Sequence, residues 1–413
     1  MKTAVQITTL FILLNAWFNP VPNAQAKEIS FSVVLLPDIQ YYTASYPATL
    51  TTQIQWIIDQ RQTINIVYVA GLGDITNLGD ANPQEWTNAW QAIQMLESAE
   101  LTGLPEGIPY GLAVGNHDQM PQNDLEKPAL GYNKYFGIEH FAGRSYYGGS
   151  YTPIDSANPP DNDSHYDLFS AGGLDFIVIY LEYGAYADSA RLAWAARLLR
   201  TYPQRLGIVI SHAILQGNGY FNIEGQTVYD ALKTNPNLIL MLSGHDWAEA
   251  HRTDIYNGRV VYTLTADYSH CPYGGAGWLQ YLTFFPQTNR VQVHTYSPTL
   301  ARHKHGDTSQ FELAVDLGQV PFDLSAHTLN PAQVVASGTS TRVSATVFWE
   351  GLRLLFGQGV SSLLETYTLL AGAAHPWISL LIAFQIGQVL VYGYRTRGSY
   401  LPILRNLAQW IRA

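Results

Sequence analysis

Short runs of uniformly apolar residues recur along this chain, and each gives way to a compact polar motif. SVVLL at 32–36 precedes PDIQ at 37–40, and INIVYVA at 64–70 precedes GLGD at 71–74. YGLAV at 110–114 leads into GNHD at 115–118, GIVI at 207–210 into SHA at 211–213, and LILML at 238–242 into GHDW at 244–247. A strand covered on both faces keeps no polar alternation, so these runs predict buried strands of an α/β sheet. With these runs included, strands are expected at 31–36, 64–70, 109–114, 174–181, 206–210, 237–243, 259–265, 278–285 and 290–296.

Three stretches carry the helical period instead. Thr49–Arg61 places Leu50, Ile54, Ile57 and Ile58 on one face, and Pro83–Glu97 does the same with Trp86, Trp90, Ile93 and Leu96. Ser189–Tyr202, rich in Ala, Leu and Arg, is the third. Strands alternate with helices early and follow one another late, which suggests two packed sheets flanked by helices. Residues 119–172 show little periodicity and many Tyr, Gly, Pro and Asn; a loop that long is usually functional, and this one is expected to wall the site. No internal repeat is present.

The ends differ from the middle. Lys2, an apolar stretch from Ala4 to Phe18, Pro20, Pro22 and the small residues of Ala24-Gln25-Ala26 form the pattern of a signal peptide over residues 1–26. The expectation is therefore an exported protein: periplasmic, cell-surface or secreted. Residues 27–320 would form the main domain, 321–341 a Ser-, Thr-, Pro- and Ala-rich linker, and 342–413 a C-terminal helical region. Trp377–Tyr394 is nearly continuous apolar sequence followed by Arg395, Arg397, Arg405 and Arg412. Eighteen residues of helix span ~27 Å, against a bilayer core of ~30 Å. A membrane anchor with a cytoplasmic tail agrees with the positive-inside bias. Gln385, Gly387 and Gln388 argue for a packed helical hairpin instead.

Composition narrows the partners. The 413 residues carry 22 basic and 32 acidic side chains, a formal charge of −10, so a general nucleic-acid groove is not expected. The single cysteine, Cys271, forbids an internal disulfide and reads as a structural thiol. No protein partner is inferable.

Asp, Asn and His side chains delivered from five strand ends can converge on one sheet rim, as a dinuclear hydrolytic centre requires. Two divalent ions (Mn, Mg, Fe or Zn) ~3.5–4 Å apart need a shared carboxylate and further ligands on each side. Asp74, behind the flexible Gly71 and Gly73, is the natural bridge. Asp38 and Gln40, two apart on an extended segment, could face one ion. Asn116, His212 and His245 could face the other. His117 is better kept off the metals as the acid that protonates the leaving group, with Asp118 beside it, or another carboxylate, holding its proton and orientation. The attacking group would be a metal-bound hydroxide.

Read together and in order, these motifs resemble the calcineurin-like metallophosphoesterases, whose signature runs D-x-H, G-D, G-N-H-D/E, H, G-H-x-H. The resemblance covers Ser30 to Leu317. It looks closest to an exported bacterial branch whose first motif reads D-x-Q-Y-Y, here Asp38-Ile39-Gln40-Tyr41-Tyr42; NKYFG at 133–137, FSAGGLDFIVIYLEY at 169–183 and TYSP at 295–298 look like that branch too. The resemblance implies a four-layer α/β/β/α sandwich of two mixed sheets. It implies Asp38, Gln40 and Asp74 on the first ion, and Asp74, Asn116, His212 and His245 on the second. Gln40 and Trp247 stand where the family has histidines, and both losses fall on the first ion, which would then be weaker-bound or harder, such as Mg or Mn. Asp246, Glu249 or His251 could compensate.

Tyr41, Tyr42, Tyr146, Tyr147, His165, Tyr166 and His270 are candidate wall residues, and Gly274–Gly277 reads as a turn rather than a phosphate cradle. The function expected is an exported metal-dependent phosphoesterase acting on mono- or diesters. The alternatives are a membrane-tethered binding module with degraded activity and a metal-dependent nuclease.

Overall fold

The computed structural model describes residues 28–119, 129–153 and 160–318, and the backbone of 334–336. Two mixed sheets stack face to face. The first has the order β13 (Arg302–Lys304), β12 (Arg290–Ser297), β11 (Leu279–Phe285), β1 (Phe31–Leu36), β2 (Ile66–Gly71), β3 (Tyr110–Leu112), with β14 (Gln310–Ala314) also on β12. The second runs β15 (Val334–Ala336), β9 (Glu249–Tyr256), β10 (Arg259–Ala266), β8 (Leu238–Ser243), β7 (Leu206–Ser211), β6 (Leu174–Leu181), β5 (His165–Ala171), β4 (Tyr147–Ser150). Within the first, β1, β2 and β3 are parallel. Within the second, β6, β7, β8 and β10 are parallel. Each parallel set therefore presents all its carboxyl ends on one rim, where ligands collect in α/β folds.

The uniform apolar runs are explained by which way alternate residues point. Val33, Leu35, Tyr68 and Ala70 face the second sheet and meet Phe176, Val178, Ile208, Ile210, Leu240 and Leu242. Val34, Leu36 and Val69 point outward, under the helices. Phe31 stacks on Phe284 at 5.0 Å and meets Phe176 edge-on at 5.8 Å across the interface. Each such side chain removed from water contributes ~1.5–3 kcal/mol.

The outer layers are helical. Pro47–Gln60 and Pro83–Ile93 each begin on a proline, whose fixed φ suits the first helical turn. They bury Leu50, Ile54, Ile57, Trp86, Ala89 and Ile93 against the first sheet. Ser189–Thr201, capped by the Asp188 carboxylate on the N–H groups of Ala190 and Arg191, covers the second sheet together with Ile223–Leu232. The expected four-layer sandwich is what the chain forms.

Several expectations change. The stretch 119–172 is not one loop: it contains helices Leu130–Phe136 and Ile138–Phe141 and strands β4 and β5, with Tyr132 and Phe136 packed on the first sheet's helical side. Strand β9 was not expected, because Glu249, His251, Arg252 and Asp254 break its apolar pattern; Arg252 and Asp254 satisfy one another in a buried pair at 2.5 Å. Within the span read as a linker, Val334–Ala336 forms a short strand on β9. The signal peptide over 1–26 and the C-terminal region over 342–413, with its apolar stretch 377–394, lie outside the described residues. Among the described residues, no helix is long and apolar enough to cross a membrane.

Candidate metal centre

Five strands of the two parallel sets end in turns that carry the polar residues of the site. From the first sheet β1 delivers Asp38, β2 delivers Asp74, and β3 leads to Asn116, His117 and Asp118. From the second, β7 delivers His212 and β8 delivers His245. Asp74, His212 and His245 offer ligand atoms that all lie within 4.8 Å of one another.

Backbone geometry sets these side chains. Asp74 and His245 have φ of 49° and 72°, left-handed conformations that cost energy and persist where the surroundings impose them. Oδ1 of Asp74 accepts the His117 backbone N–H at 3.0 Å and lies 3.2 Å from His212 Nε2. The Asp38 carboxylate accepts the His245 N–H, at 3.1 and 3.2 Å to its two oxygens. Two glycines permit this crowding: a Cβ on Gly115 would strike Asp74, and one on Gly244 would strike Asp38. GNHD and GHDW thus need their glycines for close approach.

The imidazoles are oriented from behind. A carbonyl can only accept, so His212 donates Nδ1–H to Leu72 O at 2.9 Å and turns Nε2 into the site. His245 Nδ1 lies 3.3 Å from that Nε2. Tyr183 packs beside both rings, 6.1 Å from His212 and 5.7 Å from His245.

The protein's own groups leave the cluster short of positive charge. Burial, reinforced by the charge of Asp267, holds the Asp38 carboxyl well above the usual range. Burial alone would lower His212, but Asp74 and Asp38 outweigh it and push it up to about 10. Burial and the neighbouring His212 bring His245 down to about 4. Burial would also raise Asp74, yet His212 outweighs it and its pKa falls. Two neutral oxygens are stranded alongside: Gln40 Oε1 and Asn116 Oδ1 are buried without any hydrogen-bond partner. An unsatisfied buried acceptor costs about 1–3 kcal/mol. Oxygen donors without protons and carboxylates without cations are what divalent ions satisfy, so the residues present fit a metal centre.

His117 follows Asn116 in the same turn. Its Nδ1 donates to Asn77 O at 2.8 Å, which fixes the ring and its tautomer. Asp118 does a different job from the one expected of it. Its wholly buried carboxylate accepts N–H bonds from Ile75 (3.1 Å), Thr76 (2.8 Å) and Gly115 (2.9 Å), and the Thr76 hydroxyl at 3.0 Å. It therefore ties the GNHD turn to the GLGD turn. Burial and the charge of Asp74 push it up to about 7 despite those donors. Asp118→Ala should destabilise the metal-free protein by about 3 kcal/mol or more, because several buried donors lose their acceptor. Calorimetric melting checks this; an unchanged melting temperature would return Asp118 to a catalytic role.

Of the compensating ligands proposed for the first ion, Glu249 and His251 are held by other groups. Glu249 accepts from Lys304, Ser309, Tyr268 and Thr295. His251 stacks on Phe311 at 4.1 Å and contacts Asp307 O. Asp246 accepts the Gly217 N–H. Trp247 does not pack into the site either: it is 62% exposed. The carboxylate that lies beside Asp38 is Asp267, directly after β10. Its signal was present, since VVYTLTA at 260–266 is another apolar run ending in Asp, yet the run was read only as a strand.

Of the candidate wall residues, Tyr42, Tyr146 and His165 are core. His165 stacks on Tyr180 at 4.5 Å, and Tyr42 accepts the Gly277 N–H at 2.9 Å. Tyr147 bonds Asn162 and Tyr166 contacts Tyr202, which leaves Tyr41 and His270 as residues with solvent access near the motifs. Residues 272–277 form a tight turn, as expected, with Tyr273 and Gly274 left-handed. Cys271 is partly buried, and burial raises its thiol. A cavity of about 110 Å³ adjoins the second-ion side, lined by Ala213, Leu215, Gln216, Asn222, His245 and Asp246 among others.

Comparison with known proteins agrees with this reading. The family model described as calcineurin-like phosphoesterase matches residues 31–248. The uncharacterized protein YvnB of Bacillus subtilis (strain 168) is 34% identical over 306 residues, 71% of this chain and 22% of that protein. The chain thus spans about a fifth of the length of the curated relative it matches. Among solved structures, GAP50, the anchor in the inner membrane complex of Plasmodium, aligns with a TM-score of 0.44 at 11% identity, covering 70% of this chain and 90% of that one. A dimetal phosphatase from Danio rerio aligns with a TM-score of 0.44 at 12% identity, covering 70% and 100%. Matched to its family model over more than half of its length, the chain belongs to the calcineurin-like phosphoesterase family, metal-dependent hydrolases of phosphoric ester bonds.

Proposed function

We propose that this chain is an exported phosphoesterase that hydrolyses small phosphate mono- or diesters at a dinuclear centre. The observation that carries the proposal is the convergence of buried carboxylates, two imidazoles and two unpartnered amide oxygens on one rim. Asp38, Gln40 and Asp74 would hold the first ion; Asp74, Asn116, His212 and His245 would hold the second. When bound, the ions bring a water toward ionisation at neutral pH and offset charge building on the phosphoryl group. His117, held at Nδ1 by Asn77 O, would carry the proton that the leaving oxygen takes up. His212, locked by Leu72 O, keeps its ligand nitrogen facing Asp74. The acidic balance of the chain favours small esters over nucleic acid.

The test is turnover of an aryl phosphomonoester and a bis-aryl phosphodiester by the full-length protein, stripped with chelator and resupplied singly with Mn, Mg, Fe or Zn. At least one metal should restore turnover of one ester class. No turnover with any metal, while the ions still bind, would favour a tethered binding module. Export and anchoring are a separate part of the proposal, supported by the pattern at 1–26 and the apolar stretch at 377–394. Cell fractionation of the full chain decides it: a cytoplasmic, membrane-free protein would overturn both.

A further inference from the structure

We propose that Asp267 is a ligand of the first ion, and that it makes this ion's site an all-oxygen one. The inference rests on the dinuclear reading above and goes beyond it, because no sequence motif assigns this residue.

Strands β8 and β10 are parallel neighbours with Ser243 opposite Thr265. Two residues further along each strand stand His245 and Asp267, so Asp267 leaves the rim alongside a metal-site histidine. Its side chain is fully buried. Oδ2 accepts the Trp247 N–H at 3.0 Å and Oδ1 accepts the Ser269 N–H at 2.7 Å. A carboxylate has about four acceptor positions, so each oxygen keeps one in hand. The bond to Trp247 ties this carboxylate to the backbone of the residue that stands where the family motif has its second histidine.

Asp38 grips the same turn from the other end, through the His245 N–H, and Gly244 leaves no room for a Cβ beside it. Among the described residues, the ion pair that reaches this acid group is His212 with Asp74; no Lys or Arg pairs with Asp38 or Asp267. Asp38 and Asp267 are thus two buried carboxylates bonded to one turn, an arrangement that a cation would stabilise. An independent observation points the same way. Gln40, 3% exposed and two residues after Asp38, carries an amide oxygen with no hydrogen-bond partner.

The donors for the first ion are then Asp38, Gln40, Asp74 and Asp267, all oxygen. Those for the second are Asp74, Asn116, His212 and His245, mixed oxygen and imidazole. Hard cations such as Mn or Mg suit the first set, and Zn or Fe suits the second. The loss of two histidines is thus a change of ion type, not the decay of a site.

Metal titration of the chelator-stripped full-length protein tests this. Wild type should bind two Mn ions. In Asp267→Asn one ion should remain unchanged while the other weakens by at least about 100-fold, since outer-sphere partners alone are worth about 10–100-fold. Two ions bound by Asp267→Asn with unchanged affinity would overturn the inference while leaving the dinuclear reading intact. A wild type that binds no divalent ion would overturn both. A second measurement does not depend on the variant folding. Wild type loaded with one Zn and then one Mn should show no imidazole nitrogen coupling in the pulsed EPR of its Mn. Such coupling would place Mn among the histidines and overturn the assignment.

Discussion

Asp74→Asn is expected to reduce turnover to background and to cost the protein both ions, not one. Asp74 lies between the two ligand sets, with His212 at 3.2 Å on one side and the GNHD turn, whose His117 N–H it holds at 3.0 Å, on the other. Asparagine keeps the shape and tolerates the left-handed φ of 49° that this turn requires. What it removes is the charge. A neutral amide cannot bridge two dications, and His212 loses the partner that raises its pKa. Metal content per chain and turnover should therefore fall together. A variant that retains two ions, or near wild-type turnover, would refute the bridging role.

His117→Ala should separate chemistry from binding. Its ring is held by Asn77 O, so both ions should remain. Loss of a general acid lowers kcat by about 10²–10⁴-fold. The loss should depend on the leaving group: large for an alkyl ester, whose alkoxide needs the proton, and small for an acidic phenol that departs unaided. Measuring kcat over a series of esters in both proteins checks this. An equal loss for every leaving group would mean that His117 only positions the substrate.

Much of this centre was legible in the sequence because two physical demands coincide there. A strand buried on both faces must be apolar throughout, and a ligand at its end must be polar, so the boundary is abrupt in Val34-Leu35-Leu36-Pro37-Asp38 and again in Leu240-Met241-Leu242-Ser243-Gly244-His245. Where a strand compensates its charge internally, as β9 does with Arg252 and Asp254, the contrast vanishes and the strand is missed. Adjacency in sequence misled for Asp118, because neighbouring residues in a turn point in different directions: His117 meets Asn77 while Asp118 meets the N–H groups of 75, 76 and 115. Asp267 escaped notice for another reason. It lies 20 residues beyond the last family motif, on the strand next to β8, and reaches that motif through the Trp247 N–H.

The distribution of ligands between the two sheets has a consequence for the whole sandwich. Asp38, Asp74 and Asn116 hang from β1, β2 and β3, whereas His212 and His245 hang from β7 and β8. The centre therefore lies on the seam between the two sheets, and ions bound there would clasp the fold that positions their ligands.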